Sequence, residues 1–440
     1  MKNKISIIGA GLAGSEAALQ LAKRGWEVTL YEMRPGVMTP AHQTGLAAEL
    51  VCSNSLKSTR LDTGAGMLKA EMALLGCQLL PLAEKCKVPA GHALAVDRQL
   101  FSEAVEDALK AQDSITRVNE EIKDLPDGPV IISAGPLATD NLMRSLSALI
   151  GDQHLYFFDA IAPIVDAASL DSGIVYMKGR YDKGEADYIN CPFTKEQYLD
   201  FVEALLSGEQ HQAHEFENEF FHDPKFSYYE NCTPIEELAR RGVDTLRHGV
   251  MRPMGLEDPR GGGKPYAVLQ LRAENTDLTA YNLVGCQTML RYGEQKRVFR
   301  LIPGLDQAEF LRYGSIHRNA YLDGPKVFNA DLSLQARPDV WVAGQLSGVE
   351  GYVECIASAL IVSRIISEGL ALLPETSILG QLWRRLITPQ DRKFQPVNAN
   401  FGLLPDLDSK IRDKKLKKEL MAQRGLEAMQ AYIDQGEKDE

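Results

Sequence analysis

Three short apolar runs, spread widely along the chain, each end in glycine. Ile5, Ile7 and Ile8 precede Gly9 and predict a first strand. Ala17, Ala18, Leu21 and Ala22 recur at helical spacing until Gly25 stops the helix. Val28 to Tyr31 then form a second strand that ends at Glu32. Strand, tight turn, helix and strand make one βαβ unit, the opening of a doubly wound parallel sheet. A further strand runs from Val130 to Gly135, bracketed at its start by Pro126, Gly128 and Pro129. Another runs from Val340 to Gly344, followed by a Gly-rich turn and an apolar helical run from Ile356 to Ile366. Small residues at a strand end let the backbone approach a cofactor closely.

Because these strands are so far apart, the cofactor domain is expected to be discontinuous. The fold class that follows is α/β, a Rossmann-like domain from residues 1–155 and 325–440 with a smaller α/β domain, 156–324, inserted. The insert is richer in aromatic and charged residues, with strand candidates at Pro265 to Leu271 and Tyr281 to Cys286. From Asp434 onward the chain reads as polar and frayed.

The first glycines form GxGxxG, as Gly9-Ala10-Gly11-Leu12-Ala13-Gly14. Gly9 permits the turn, Gly11 lets backbone amides reach a pyrophosphate, and Gly14 allows close helix packing. The helix N-terminus then faces the phosphates. Glu32 follows Gly14 by 18 positions and can accept hydrogen bonds from a ribose. An acidic residue there favours an unphosphorylated ribose, hence FAD or NAD. The extreme N-terminal fingerprint with late glycine strands leans toward FAD, with Gly135 and Gly344 as further backbone contacts.

The net charge of −12 argues against a generally basic nucleic-acid binder, and no DNA partner is expected. The average hides seven basic residues between Lys410 and Arg424, opposed by Asp413 and Glu419. They read either as a solvated helix face or as a local RNA-docking surface. No run of 18 apolar residues predicts a membrane span. The start of the chain carries no cleavable signal pattern. Seven scattered cysteines, without framework spacing, suggest reduced thiols and a cytoplasmic protein. No CxxC or HxH cluster indicates a metal site.

Two cysteines have distinctive surroundings. Cys232 is followed by Thr233-Pro234-Ile235-Glu236, which predicts a helix start with Thr233 as N-cap and Glu236 completing a capping box. A thiol just outside the positive end of a helix favours the thiolate. Cys52 precedes Ser53-Asn54-Ser55, a polar turn expected to face the surface. Cys77, Cys86, Cys191, Cys286 and Cys355 are expected to be structural. His42 and His317 are loop histidines that serve either structure or ligand contact.

The blocks IGAGLAGSEAA, YEMRPG, AELVCSNSLKS, VPAGHALAVDR, NCTPIEELARRG, RPMGLEDP, KPYAVLQLR, AGQLSGVEGYVE and NANFGLLP resemble, almost end to end, the folate- and FAD-dependent tRNA uracil-5-methyltransferases of the TrmFO family. Those enzymes are related to the GidA-type flavoproteins and share a glutathione-reductase-like fold. The resemblance implies 5,10-methylenetetrahydrofolate as carbon donor, NAD(P)H as reductant and the T-loop of tRNA as partner. It makes Cys232 the uracil nucleophile and Cys52 the second functional thiol. GVEGY after the last glycine strand marks where folate and flavin are expected to meet, with Glu350 able to hydrogen-bond a pterin and Tyr352 able to stack or donate a proton. Departures are Gln43 to Ala47, Ser133 with Ala134, Ser347, Cys355 and Ala359. The alternatives are the same chemistry on ribosomal RNA, or a non-catalytic RNA-binding flavoprotein.

Overall fold

The computed structural model describes residues 3–39, 41–151, 154–160, 162–182, 187–210, 233–261, 263–314, 316–391 and 394–439, with backbone alone at 154–160, 316–319 and 436–439. Cys232 lies outside the described residues, and so does the side chain of His317.

A six-stranded sheet is assembled from three distant parts of the chain. β1 (Lys4–Ile8) pairs in parallel with β2 (Glu27–Tyr31) on one side and with Val130–Ile132 on the other. Ile115–Val118 extends the sheet beyond β2, and Arg337–Val342 extends it beyond Val130–Ile132, both in parallel. Ser333–Leu334 closes that edge antiparallel. The central strands are apolar because helices cover the sheet: Ile7, Ile131, Ile132 and Val340 are fully buried. Each such side chain contributes about 1.5–3 kcal/mol of transfer free energy. Helix α1 (Leu12–Lys23) packs against the helix Tyr352–Glu368, through small residues such as Ala17 and Ala18 on its own side.

The chain leaves this region through His154–Ala160 and returns through Ile316–Leu322, paired antiparallel. Between them lies a second six-stranded sheet, ordered Tyr176–Met177, Tyr188–Phe193, Ala267–Ala273, Ala280–Leu283, Ile164–Asp166, Phe310–Arg312. Its pairings are antiparallel. The helix Lys195–Ser207, started by a Thr194/Gln197 capping box, covers it with Tyr198, Phe201 and Leu205. Each sheet carries its own hydrophobic core.

Three local expectations are corrected. The frayed tail is instead a helix, Lys414–Asp439. Asp413 caps it, accepting from the Lys415 and Leu416 amides at 2.8 and 3.1 Å, while Met421, Ala422 and Met429 are buried. The capping box at Thr233 does not form. Pro234 is the N-cap of a six-residue helix, Ile235–Arg240, without a side-chain cap. Glu236 is fully buried and accepts the Thr288 hydroxyl instead. Burial raises its carboxyl above the ordinary range. The polar turn after Cys52 lies only partly at the surface: Cys52, Ser53 and Ser55 stay part-exposed, but Asn54 points inward. Asn54 is fully buried and donates to Val96 O at 3.1 Å and to Ala273 O at 2.8 Å, joining the two sheets' regions.

Candidate active site

A cleft of about 1020 Å3, its open mouth included, runs along the carboxyl ends of the parallel strands. That is the ordinary location for a ligand in an open α/β sheet. Gly9, Gly11, Leu12, Ala13, Glu32, Gly135, Gly344 and Tyr352 all line it. Ala10 and Gly14 sit behind this wall. The Ala10 amide donates to Glu32 Oε2 at 2.9 Å. A Cβ on Gly14 would stand 1.8 Å from Gly9 O, so α1 approaches β1 only because that atom is missing. A Cβ on Gly11 would meet nothing within 4 Å. Gly11 therefore opens the cleft, whereas Gly14 closes the packing. Ser133 donates to Ile8 O and Gly9 O at 3.0 and 3.1 Å, fixing the same turn.

Glu32 is more heavily engaged than the sequence indicates. Its oxygens accept from Ala10 N, Arg34 N at 3.1 Å, Arg34 Nε at 2.8 Å and Arg34 Nη2 at 3.1 Å. These fill the roughly four acceptor positions of a carboxylate. A ribose hydroxyl arriving there must displace an Arg34 donor. Although burial opposes ionisation of Glu32, the Arg34 contacts outweigh it and hold the carboxyl below its usual range. Arg34 also reaches Glu49 Oε2 at 3.1 Å. His42 lines the cleft beside them, with Nδ1 at 2.6 Å from the Thr39 hydroxyl. Burial, then the Arg34 charge, lowers its pKa to about 4, so the imidazole is neutral near pH 7.

Cys52 and Tyr352 meet where the two sheets' regions adjoin. The Tyr352 hydroxyl accepts the Cys52 amide at 2.8 Å and the Ser53 amide at 3.2 Å. Burial pushes the phenol up, so it stays protonated. Three arginines surround this corner. Arg98 donates to Leu50 O at 2.5 Å and pairs with Glu274 at 2.5 Å. Arg272 reaches Asn54 Oδ1 and Ser53 Oγ, both at 2.9 Å. Arg312 donates to Ala41 O at 3.0 Å.

Glu350 is buried, its amide bonded to Val397 O at 2.8 Å, and it is not among the residues that line the cleft. The structure thus joins Tyr352 to the fingerprint but places Glu350 behind it. Cys355, expected to be structural, is buried yet contributes to the cleft wall. The residues that sequence reasoning missed are Arg34, Arg98, Arg272, Glu274 and Arg312. The first three stand in the blocks YEMRPG, ALAVDR and VLQLR, which were the available signal.

The fold and cleft together define a dinucleotide-binding protein of the doubly wound α/β class. Residues 4–371 match the family model described as glucose-inhibited division protein A. A protein of Halalkalibacterium halodurans named methylenetetrahydrofolate–tRNA-(uracil-5-)-methyltransferase TrmFO is 48% identical over 434 residues, covering 98% of each chain. One of the same name from Bacillus subtilis is 48% identical over 431 residues, covering 97% of this chain and 98% of that one. The structure of Aquifex aeolicus GidA superposes with a TM-score of 0.67 at 14% identity, over 99% of this chain and 76% of that one; it supports the fold alone. The chain belongs to the glucose-inhibited division protein A family and, within it, to the TrmFO group.

That membership implies FAD, and the residues present fit it. Gly9, Gly135 and Gly344 have positive φ of 98°, 69° and 77° and present bare backbone to the cleft. The α1 N-terminus, capped by Gly11 without a side-chain bond, aims its amides at the position of a pyrophosphate.

Proposed function

We propose that this protein transfers a one-carbon unit from 5,10-methylenetetrahydrofolate to C5 of a tRNA uridine, forming 5-methyluridine in the T-loop. The observation that carries this reading is the Tyr352–Cys52 contact, which sets a thiol segment against the wall of the dinucleotide cleft. Near-full-length 48% identity to proteins named for that activity supports it. FAD, reduced by NAD(P)H, supplies the reducing equivalents when bound.

The chain's own residues have separable tasks in this reading. The cradle from Gly9 to Gly14 binds the pyrophosphate, with Gly135 and Gly344 keeping the walls open. Glu32 and Arg34 close the ribose end. Cys232 adds to uracil C6: the sulfur–carbon bond forms, the C5–C6 π electrons move onto C5 and O4, and C5 becomes nucleophilic. After C5 has gained its carbon, its proton leaves to a base, the π bond re-forms and Cys232 departs as thiolate. Cys52 acts at the cleft side of the same centre, as the group that takes the C5 proton. Tyr352 orients the Cys52 segment through both amides and keeps its own proton. Glu350 is buried behind the lining residues, its amide held by Val397 O. Residues 1–155 with 325–440 carry the cofactor, and 156–324 bring the RNA-side groups.

The test is nucleoside mass analysis of unmodified tRNA incubated with the purified protein, methylenetetrahydrofolate and NADPH. New 5-methyluridine at the T-loop position is expected, and none with Cys232→Ala. Product on ribosomal RNA but not tRNA would replace the substrate. No product on either would leave a binding flavoprotein.

A further inference from the structure

The corner that holds Cys52 carries more positive charge than the protein itself neutralises. Arg98 has the Glu274 carboxylate. Among the described residues neither Arg272 nor Arg312 has an acidic side chain at ion-pair distance. Both are partly buried, with side chains committed to neutral oxygens: Asn54 Oδ1, Ser53 Oγ and Ala41 O. Two partly buried guanidinium charges hydrogen-bonded only to neutral oxygens, with the single Glu274 carboxylate shared among three arginines, are costly. An anion among them offsets that cost.

The hydrogen bonds say where the anion sits. Arg98 grips Leu50 O, two residues before Cys52, and Arg272 grips the side chains of Ser53 and Asn54, just after it. Tyr352 takes the amides of Cys52 and Ser53. The Cys52 segment is therefore clamped on both sides by cations. We infer that Arg272 and Arg312, with the Arg98–Glu274 pair beside them, form a cationic cradle that holds the Cys52 sulfur as the thiolate. These arginines are positioning residues: they act through the sulfur rather than on substrate.

The charge balance is consistent in the other direction. Burial weakens the hold of Arg272 and Arg312 on their protons; acting against that loss are first Glu274 and then the Cys52 sulfur for Arg272, and Tyr352 and then the Cys52 sulfur for Arg312. Among the groups that act on the sulfur are Tyr352, kept protonated by burial, the three arginines, and Glu274 behind Arg98. On its own stretch of chain His42 stays neutral, and Glu49 is taken up by Arg34. A partly exposed thiol in electropositive surroundings is the usual setting of a reactive cysteine.

This inference rests on Cys52 being a working thiol, as proposed above, but its test needs neither RNA nor folate. The flavin-loaded protein is alkylated with iodoacetamide across pH 5 to 10, and the Cys52 peptide is quantified by mass spectrometry. The midpoint is expected below the ordinary cysteine value of about 8.5. Arg312→Gln should raise it by about half to one pH unit, since a nearby opposite charge is worth roughly 1–3 units at contact and less beyond. Arg312→Lys should restore the parent profile, and Arg260→Gln, on an exposed loop paired with Asp258, should not move it. A parent midpoint at or above 8.5 overturns the cradle even if every variant misfolds. So does an unmoved profile in a flavin-loaded Arg312→Gln. A shifted profile in a protein that makes no 5-methyluridine would keep the cradle and remove only the methylation reading.

Discussion

The two regions that meet at the Cys52 corner are built from different material. The parallel-sheet side presents much of its cleft as backbone, with bare glycines, strand ends and a helix terminus. The antiparallel side contributes side chains: Arg272, Glu274 and Arg312 reach across to residues 41–98 of the first region. A backbone site tolerates substitution only where a Cβ has somewhere to go. A side-chain site tolerates it only where the partner's charge is not stranded. The difference turns into unequal failure modes.

The largest effect should separate two glycines three residues apart. Gly14→Ala drives a methyl to within 1.8 Å of Gly9 O, a backbone atom that cannot swing aside. It should cost more than about 4 kcal/mol or abolish soluble protein, as the severe steric lesions do. Gly11→Val has open space at Cβ and an ordinary φ of −71°. It should keep the melting temperature close to the parent's while the flavin-to-protein absorbance ratio collapses. Equal loss of stability in both variants would dissolve the distinction between packing glycine and ligand glycine.

The second effect tests the side-chain side. Glu274→Gln strands Arg98 and adds to the uncompensated charge around Arg272. Breaking one partner of a buried pair costs about 3–5 kcal/mol. Because Glu274 is 6% exposed but Arg98 is 16% exposed, the lower end is expected in urea unfolding. A change below about 0.5 kcal/mol would mean that the two regions are not fastened at this pair.

These unequal mechanisms also explain what the sequence made legible. The Gly9–Gly14 turn, β1, α1 and β2 could be read because each constraint acts within a few residues. Glu32 was readable as a position but not as a saturated acceptor, since Arg34 folds back from only two residues away in a loop with no periodicity. Arg98 and Glu274 are separated by 176 positions, and no local pattern pairs them. Asn54 read as a surface turn because Ser and Asn usually are; its amide is instead spent on Val96 and Ala273 across the junction. Thr233 and Glu236 had the spacing of a capping box, but a buried Thr288 hydroxyl competes for the carboxylate. The tail from Asp434 read as polar because its residues are; it continues a helix whose buried residues, Met421, Ala422 and Met429, lie upstream.

A third, smaller effect lies in pH dependence on the backbone side. His42 has a folded pKa of about 4 against an ordinary 6.5. Between those values the unfolded chain binds a proton that the folded chain does not. Stability is therefore complete above pH 6.5 and is lost as pH falls toward 4. The contribution is at most about 3 kcal/mol. Thermal unfolding of the parent and of His42→Gln should converge as pH drops from 7 to 4.5. Parallel curves would remove His42 from the electrostatic neighbourhood of Arg34 and Glu49.

The smallest effect concerns the basic helix, which belongs to the first region yet must work by side chains if it meets RNA. The structure divides its seven cations. Lys417 pairs with Asp406 at 2.6 Å, Lys415 with Glu419 at 3.5 Å, Lys418 lies 5.9 Å over the Phe401 ring, and Arg424 donates to Asp406 O at 2.9 Å. Lys417, Lys418 and Arg424 hold the helix onto the chain before it, whereas the Lys415–Glu419 pair lies within the helix. Lys410, Arg412 and Lys414 make no ion pair among the described residues, and they precede or open the helix. Neutralising those three should leave the melting temperature in place and flatten the salt dependence of tRNA binding, by about 0.7–0.9 in log–log slope for each phosphate no longer neutralised. Neutralising Lys417 and Lys418 instead should lower stability slightly, by about 0.5–1 kcal/mol in total for such exposed groups, with less change in slope. If the second set flattens the slope and the first does not, the packed face is the RNA face. An unchanged slope in both moves docking to the antiparallel region, with Arg240 and Arg241 beside the Cys232 segment as the residues to neutralise next.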